Sequence, residues 1–166
     1  MPTLAELDLD GSALVEIDFQ GWVLDLAHDP AVVEHAVTVR QAMAEQPRVC
    51  TRYLDTAPGP RSDPASAEAR FVPGLEPGAA DPVLTKHGKD VFADTDLEEV
   101  LRDLGVRTIV LTGLLTAHGV ASTATSALGR GFDVVVVAPA CADVTPDTHA
   151  RALVGLAEVG ITVVDL

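Results

Sequence analysis

The stretch Thr108–Ala127, TIVLTGLLTAHGVASTATSA, decides how this chain is to be read. An apolar, β-branched run from Thr108 to Thr112 stops at Gly113. A small-residue segment then leads into Val120–Leu128, which reads as a helix built from Ala, Ser and Thr. A strand that turns into a helix in this way sets backbone N–H groups and a helix N-terminus at the carboxyl edge of a sheet. Open α/β sheets receive their ligands at that edge.

Working outward, Ser12–Phe19 (SALVEIDF) is a mostly apolar run, as expected of a strand covered on both faces, and Asp18 sits at its carboxyl end. The helical spacing of Val32, Val33, Ala36, Val37, Arg40 and Met43 predicts a helix over Pro30–Gln46, with Asp29 as N-cap. Pro47 stops it, and Arg48–Tyr53 reads as the second strand. Leu54–Pro82, rich in Pro, Gly, Asp and Ala, is the one long irregular segment and reads equally as a lid over the strand ends or an exposed excursion. Beyond it come a short strand, Val83–Lys86, and a helix, Asp96–Leu104, capped by Thr95 or Asp94 with Glu98 in a capping box. The final elements are a strand at Asp133–Ala138, a helix from Thr145 through Val159 and a closing strand, Ile161–Leu166. Alternating strands and helices predict a three-layer α/β/α sandwich, Rossmann-like, around a parallel sheet of about five or six strands.

The chain of 166 residues is expected to form one domain, 1–166, with a mean hydropathy of +0.27 that argues against disorder. A formal charge of −14 disfavours a nucleic-acid partner. No apolar run approaches the roughly 18–20 residues that span a bilayer, the N-terminus is acidic, and the two cysteines form no disulfide framework; a cytoplasmic protein is expected. Nine of the eleven basic residues are Arg, and the only lysines are Lys86 and Lys89, in TKHGKD. A retained Lys in an Arg-biased chain draws notice because Lys does proton and point-charge chemistry that Arg does poorly. In a parallel sheet Asp18, Lys86 and the Gly113–Val120 junction would share one edge, so a carboxylate, an ammonium and an anion-binding turn could converge. Taken singly, a strand-end Asp also serves as a turn residue and a lone Lys as a solvated charge, and spacing alone names no reaction.

These motifs resemble those of the isochorismatase-like hydrolases, a family that includes nicotinamidases and N-carbamoylsarcosine amidases. Asp18 and Gln20 match its strand-end D-x-Q; Lys86 and Phe92 match its lysine and following phenylalanine. Thr112, Gly113, Thr116 and Val120 match its TG-x-x-T-x-x-C-V. The resemblance covers nearly the whole chain and departs at one decisive position: Gly119 stands where the cysteine hydrolases carry their nucleophile. Glycine cannot attack a carbonyl, so thioester chemistry is unavailable there. Isochorismatases proper also have glycine at this place and hydrolyse a vinyl ether by protonation and water addition, with the strand-end aspartate as acid and the lysine beside it.

The resemblance implies Asp18, Lys86 and Gly119 as the catalytic positions. It also implies a non-proline cis peptide at Leu114–Leu115 that aims the N–H groups of Leu115 and Gly119 at one point. Gln20, Arg52, Phe92, Leu115 and His118 are candidate substrate-binding residues, with Arg61 and Arg70 as further carboxylate binders. The histidine preceding the glycine is immediately adjacent here (His118), where isochorismatases have it two residues ahead. The nicotinamidase metal motif has no counterpart, since Arg52–Pro82 contains no histidine, and the scattered His28, His35, His87, His118 and His149 lack ligand spacing. No metal or cofactor is expected, nor a dinucleotide site, there being no G-x-G-x-x-G after the first strand. A small-molecule substrate and a homo-oligomer are expected. Two functions stay open: a hydrolase acting through Asp18, or a catalytically inactive member serving as a ligand-binding or assembly protein. A cavity around Asp18 and Lys86 favours the first, and its filling by Trp22, Phe71 or Phe92 the second.

Overall fold

The computed structural model describes all residues from Met1 to Leu166. Six strands form one wholly parallel sheet: β1 (Ser12–Ile17), β2 (Arg48–Tyr53), β3 (Val83–Lys86), β4 (Thr108–Leu114), β5 (Asp133–Ala142) and β6 (Thr162–Val164). They are ordered β3-β2-β1-β4-β5-β6. The helices are α1 (Gly21–Leu24), α2 (Val32–Ala42), α3 (Val91–Asp94), α4 (Leu97–Asp103), α5 (Ala121–Gly129) and α6 (Pro146–Glu158). Side chains alternate across the central strands with the period of two that a pleated backbone imposes. Ala13, Val15, Ile17, Ile109, Leu111, Val134 and Val136 join one buried cluster with α3–α5; Leu14, Val110, Val135 and Val137 join a second beneath α2. Both faces of the sheet are therefore covered, giving the expected α/β/α sandwich. None of the helices is long and apolar enough to cross a membrane.

Several boundaries differ from the sequence reading, each for a local reason. β1 stops at Ile17, not Phe19, because Asp18 turns to φ +54° and leaves the extended conformation. β4 runs past Thr112 to Leu114, since Gly113 stays in the ladder opposite Cys141. β5 continues through Pro139 to Ala142 across an irregularity in its register with β4. α2 is shorter than Pro30–Gln46, and the short helices α1 and α3 were not anticipated. The Glu98 capping box does not form: Glu98 pairs with Arg102 and Arg130, while the Thr95 hydroxyl accepts from the Leu97 N–H at 3.2 Å. Thr145 caps α6 as read, accepting from the Thr148 N–H at 3.1 Å. α5 is preceded by a wide π-type turn, Thr116–Val120.

The segment between β2 and β3 is tied down at several points. Glu16, buried in mid-β1, takes a two-pronged ion pair from Arg40 of α2 at 2.7 and 2.6 Å. The same guanidinium donates to the carbonyls of Leu75 (2.8 Å) and Glu76 (3.0 Å). The long segment is thus clipped to the central strand through one arginine.

Where β1 and β4 end side by side, there is no room for a side chain at residue 113. Gly113 has φ +146°, and a Cβ there would fall on the Ile17 carbonyl oxygen and within 2.6 Å of the Ile17 Cβ. Gly113→Ala is expected to lower stability by at least about 3 kcal/mol, read as a shift in the urea midpoint, because both backbone conformation and packing oppose it.

Candidate active site

Asp18 is presented by the left-handed turn at the end of β1, which its own carbonyl closes by accepting from the Gln20 N–H at 2.7 Å. The carboxylate is satisfied on both oxygens. Oδ1 accepts from the Thr51 hydroxyl of β2 at 3.2 Å, and Oδ2 pairs with Lys86 Nζ at 2.7 Å. Lys86 ends β3, two strands away, and reaches across β2 with its ammonium 5.4 Å from the centre of the Tyr53 ring. Its third contact is a bond to the Gly88 carbonyl at 3.0 Å. The side chains are only 7% and 2% exposed, so this is a buried ion pair. Burial pushes the Asp18 carboxyl above the usual carboxylate range, against the opposing pull of Lys86 and Thr51.

The second wall is the turn after β4. The Leu114–Leu115 peptide is cis, as the resemblance implied. Two side chains from the end of β5 and from α6 hold the turn behind it. Asp143, fully buried, accepts from the Ala117 N–H at 2.5 Å, and its other oxygen accepts from Val144 N (2.7 Å) and the Thr148 hydroxyl (3.2 Å). Thr116 Oγ1 meets His149 Nδ1 at 2.8 Å, and the His149 ring lies 5.4 Å from that of His28. Burial, with help from His28, lowers the His149 pKa against the opposing pull of Asp143 and Asp29. Sequence reasoning missed this bracket. The one available signal was an acid, Asp143, standing just before the helix cap Thr145.

Between the two walls lies a cavity of about 300 Å³ that contains Asp18, Lys86, Leu115, His118 and Gly119 on its lining, faced by Trp22 and Tyr53. A Cβ built on Gly119 would stand 3.5 Å from Asp18 Oδ2 and 2.9 Å from Ile17 Cγ2, so position 119 adjoins the carboxylate directly. Trp22 forms part of the wall and leaves the space open, while Phe71 pairs by its backbone with Gln20 outside it.

Three expected binding residues lie elsewhere. Gln20 is wholly buried, with Nε2 donating to the carbonyls of Tyr53 (3.0 Å) and Ala69 (2.8 Å) and Oε1 accepting from Tyr53 N (2.7 Å). Its amide is saturated by main chain, so it fastens the long segment to β2 and has nothing left for a ligand. Arg52 alternates to the side of β2 opposite Thr51 and donates to Thr85 Oγ1 at 2.9 Å. Phe92 packs in the core against Phe132. Arg61 stacks on Trp22 at 4.3 Å, and Arg70 borders a separate groove with Phe71 and Pro73. Neither cysteine reaches the cavity: Cys50 lies beside Glu16 and Cys141 beside Gly113, and burial pushes both thiols up to about 12. No three His, Cys, Asp or Glu side chains stand together as a metal-ligand group.

The doubly covered parallel sheet and the strand-end Asp–Lys pair define an α/β/α scaffold with its site at the carboxyl edge of the sheet. Residues 12–166 match the isochorismatase domain, and the chain belongs to the isochorismatase family of hydrolases. It is 29% identical over 168 residues to the isochorismatase family protein YecD of Escherichia coli O157:H7, covering 90% of this chain and 89% of that one. An isochorismatase family protein from Burkholderia thailandensis superposes with a TM-score of 0.83 at 31% identity, covering 99% of this chain and 94% of the other. Enterobactin synthase component B of Escherichia coli K12 is 33% identical over 95 residues, but these make up 57% of this chain and 33% of that protein.

The buried pair makes stability pH-dependent in a predictable direction. Removing the ammonium in Lys86→Met leaves Asp18 buried without its countercharge, and the native state then binds the Asp18 proton more tightly than the unfolded chain does. Stability of the variant should fall as pH rises from 4 to 7, with a deficit against the parent of about 3–5 kcal/mol at pH 7 that narrows at pH 4. Urea unfolding at a series of pH values measures it.

Proposed function

We propose that this chain, as one domain over residues 1–166, is an isochorismatase-family hydrolase that works without a cysteine nucleophile. Asp18 carries the proton, and isochorismatase-type hydrolysis of a vinyl ether is the best specific reaction. The observation that supports this most is the buried Asp18 on an open cavity, its carboxyl raised by burial and next to a residue 119 that has no side chain. An acid must hold a proton to deliver it, and burial moves the Asp18 carboxyl in that direction while Lys86 and Thr51 oppose it.

In the proposed reaction the Asp18 carboxyl gives its proton to the terminal vinyl carbon, leaving an oxocarbenium ion. Water adds to that cation and returns a proton to Asp18, and the resulting hemiketal collapses to a ketone and an alcohol. Lys86 steadies the carboxylate form between these steps, and the absent side chain at Gly119 leaves room beside Asp18 for substrate or water. The two remote thiols, with pKa values pushed to about 12, support a mechanism with no sulfur. Leu115 and His118 are the proposed substrate contacts. The same reading takes the protein as a homo-oligomer, which sedimentation velocity decides.

Purified protein is expected to turn over isochorismate, with kcat/KM falling as pH rises above the raised Asp18 range. Asp18→Ala should lose at least about a hundredfold in kcat, the lower end of what a positioned proton donor contributes. Cys50→Ser and Cys141→Ser should keep the activity. A parent that leaves isochorismate intact would favour the ligand-binding reading.

A further inference from the structure

Lys89, the second of the chain's two lysines, is not used by the chemistry proposed above, yet it lines the same cavity. Its surroundings leave it unpaired. Of the eleven lysines and arginines, only Lys89 and Arg70 have neither an ion pair nor a side-chain hydrogen bond, and Arg70 borders a different groove. The acids nearest Lys89 in sequence are committed to backbone. Asp90 accepts from Phe92 N at 2.9 Å, and Asp94 accepts from His87 N and Gly88 N at 2.6 and 2.8 Å.

Those bonds also fix the turn that carries Lys89, together with Lys86 Nζ on the Gly88 carbonyl and His87 Nδ1 against the Leu54 carbonyl at 2.7 Å. Lys89 is therefore carried by an anchored turn at the lining of the cavity. Lys86 cannot play this part, since its charge is taken by Asp18 at 2.7 Å. Lys89 is thus the one free positive charge on the lining of a cavity in a protein of formal charge −14. That overall field repels anions, so an anion held here needs a local cation. The apolar part of the lining includes Trp22 and Tyr53, which stand edge to face at 5.9 Å, with Leu114 and Leu115, and His87 and His118 share the lining.

We propose that Lys89 is the specificity residue of the cavity, selecting small ring-bearing carboxylates over their uncharged counterparts, with the ring against Trp22 and Tyr53 and the carboxylate on the Lys89 ammonium beside His118. This deepens the hydrolase reading by assigning the residue that selects for charge and rests on the same cavity, but its test requires no turnover.

Trp22 is the only tryptophan, so intrinsic fluorescence reports on this wall alone. Titrating the purified chain with benzoate and with benzamide, a neutral partner of the same shape, compares charge at constant ring. Benzoate should change the fluorescence saturably and bind at least tenfold more tightly than benzamide. Lys89→Met should remove that difference, Lys89→Arg should keep it, and Arg70→Met should leave it unchanged. Lys89 is exposed, so these variants are expected to fold, and unaltered urea midpoints check this. Equal binding of the two probes, no saturable response to either, or a preference for benzoate that survives in Lys89→Met would each overturn the proposal. A chain that prefers benzoate through Lys89 yet leaves isochorismate intact keeps this inference and loses the vinyl-ether reading; turnover of isochorismate with unchanged KM in Lys89→Met does the reverse.

Discussion

The Asp18–Lys86 pair sets conditions that much of the fold exists to meet. Two charges taken out of water lose several kcal/mol of solvation each, and their mutual attraction returns this only with close geometry and filled hydrogen-bond positions. Each requirement recruits a different element. Close geometry needs a long side chain on β3, since Lys86 must pass β2 beside Tyr53 to reach the end of β1. The remaining positions are filled by the Thr51 hydroxyl and the Gly88 carbonyl. A hydrophobic pair of similar volume would hold the sheet edge as well, so the charges are better understood as chemical equipment than as a fastening.

Parallel topology explains why the centre of this site was legible before any coordinates. All strand ends of a parallel sheet lie on one edge, so an acid ending one strand, a lysine ending another and a glycine-rich turn ending a third must be neighbours. The three did come together, and the order of the strands made them adjacent enough to touch. What stayed hidden depends on side-chain direction and on distant partners. Thr51 and Arg52 are consecutive, yet only Thr51 faces Asp18, because the pleat sends Arg52 to the other side. Gln20 belongs to the same motif as Asp18, but its amide meets carbonyls contributed by residues 53 and 69, which no local pattern announces. The Asp143–Ala117 and His149–Thr116 contacts join residues far apart in sequence and are equally invisible along the chain. The extension of β4 and β5 was obscured by Gly113 and Pro139, residues that usually end strands and here mark an irregular but continuous ladder.

Position 119 carries no side chain, and the turn around it is held from elsewhere. The cis peptide, the π-type turn and the bracket from Asp143 and His149 are all present around a glycine. Their geometry comes from backbone and from side chains behind the turn. A side chain at 119 would change what chemistry is on offer beside Asp18, with the buried Ile17 side chain giving way, since a Cβ there stands 2.9 Å from Ile17 Cγ2.

The Arg40 clip on Glu16 has a consequence for how the chain can vary in length. Between β2 and β3 the backbone is pinned near residues 69–72 by Gln20 and Phe19 and near residues 75–76 by Arg40. Upstream of these fastenings lies the exposed tip at Thr56–Pro60, closed on itself by the bond from Asp55 N to the Arg61 carbonyl. A flexible loop that doubles in length adds only about 0.6 kcal/mol of closure entropy. Residues added at that tip would lengthen a tether already fastened downstream, so relatives can differ in size there while presenting the same cavity floor.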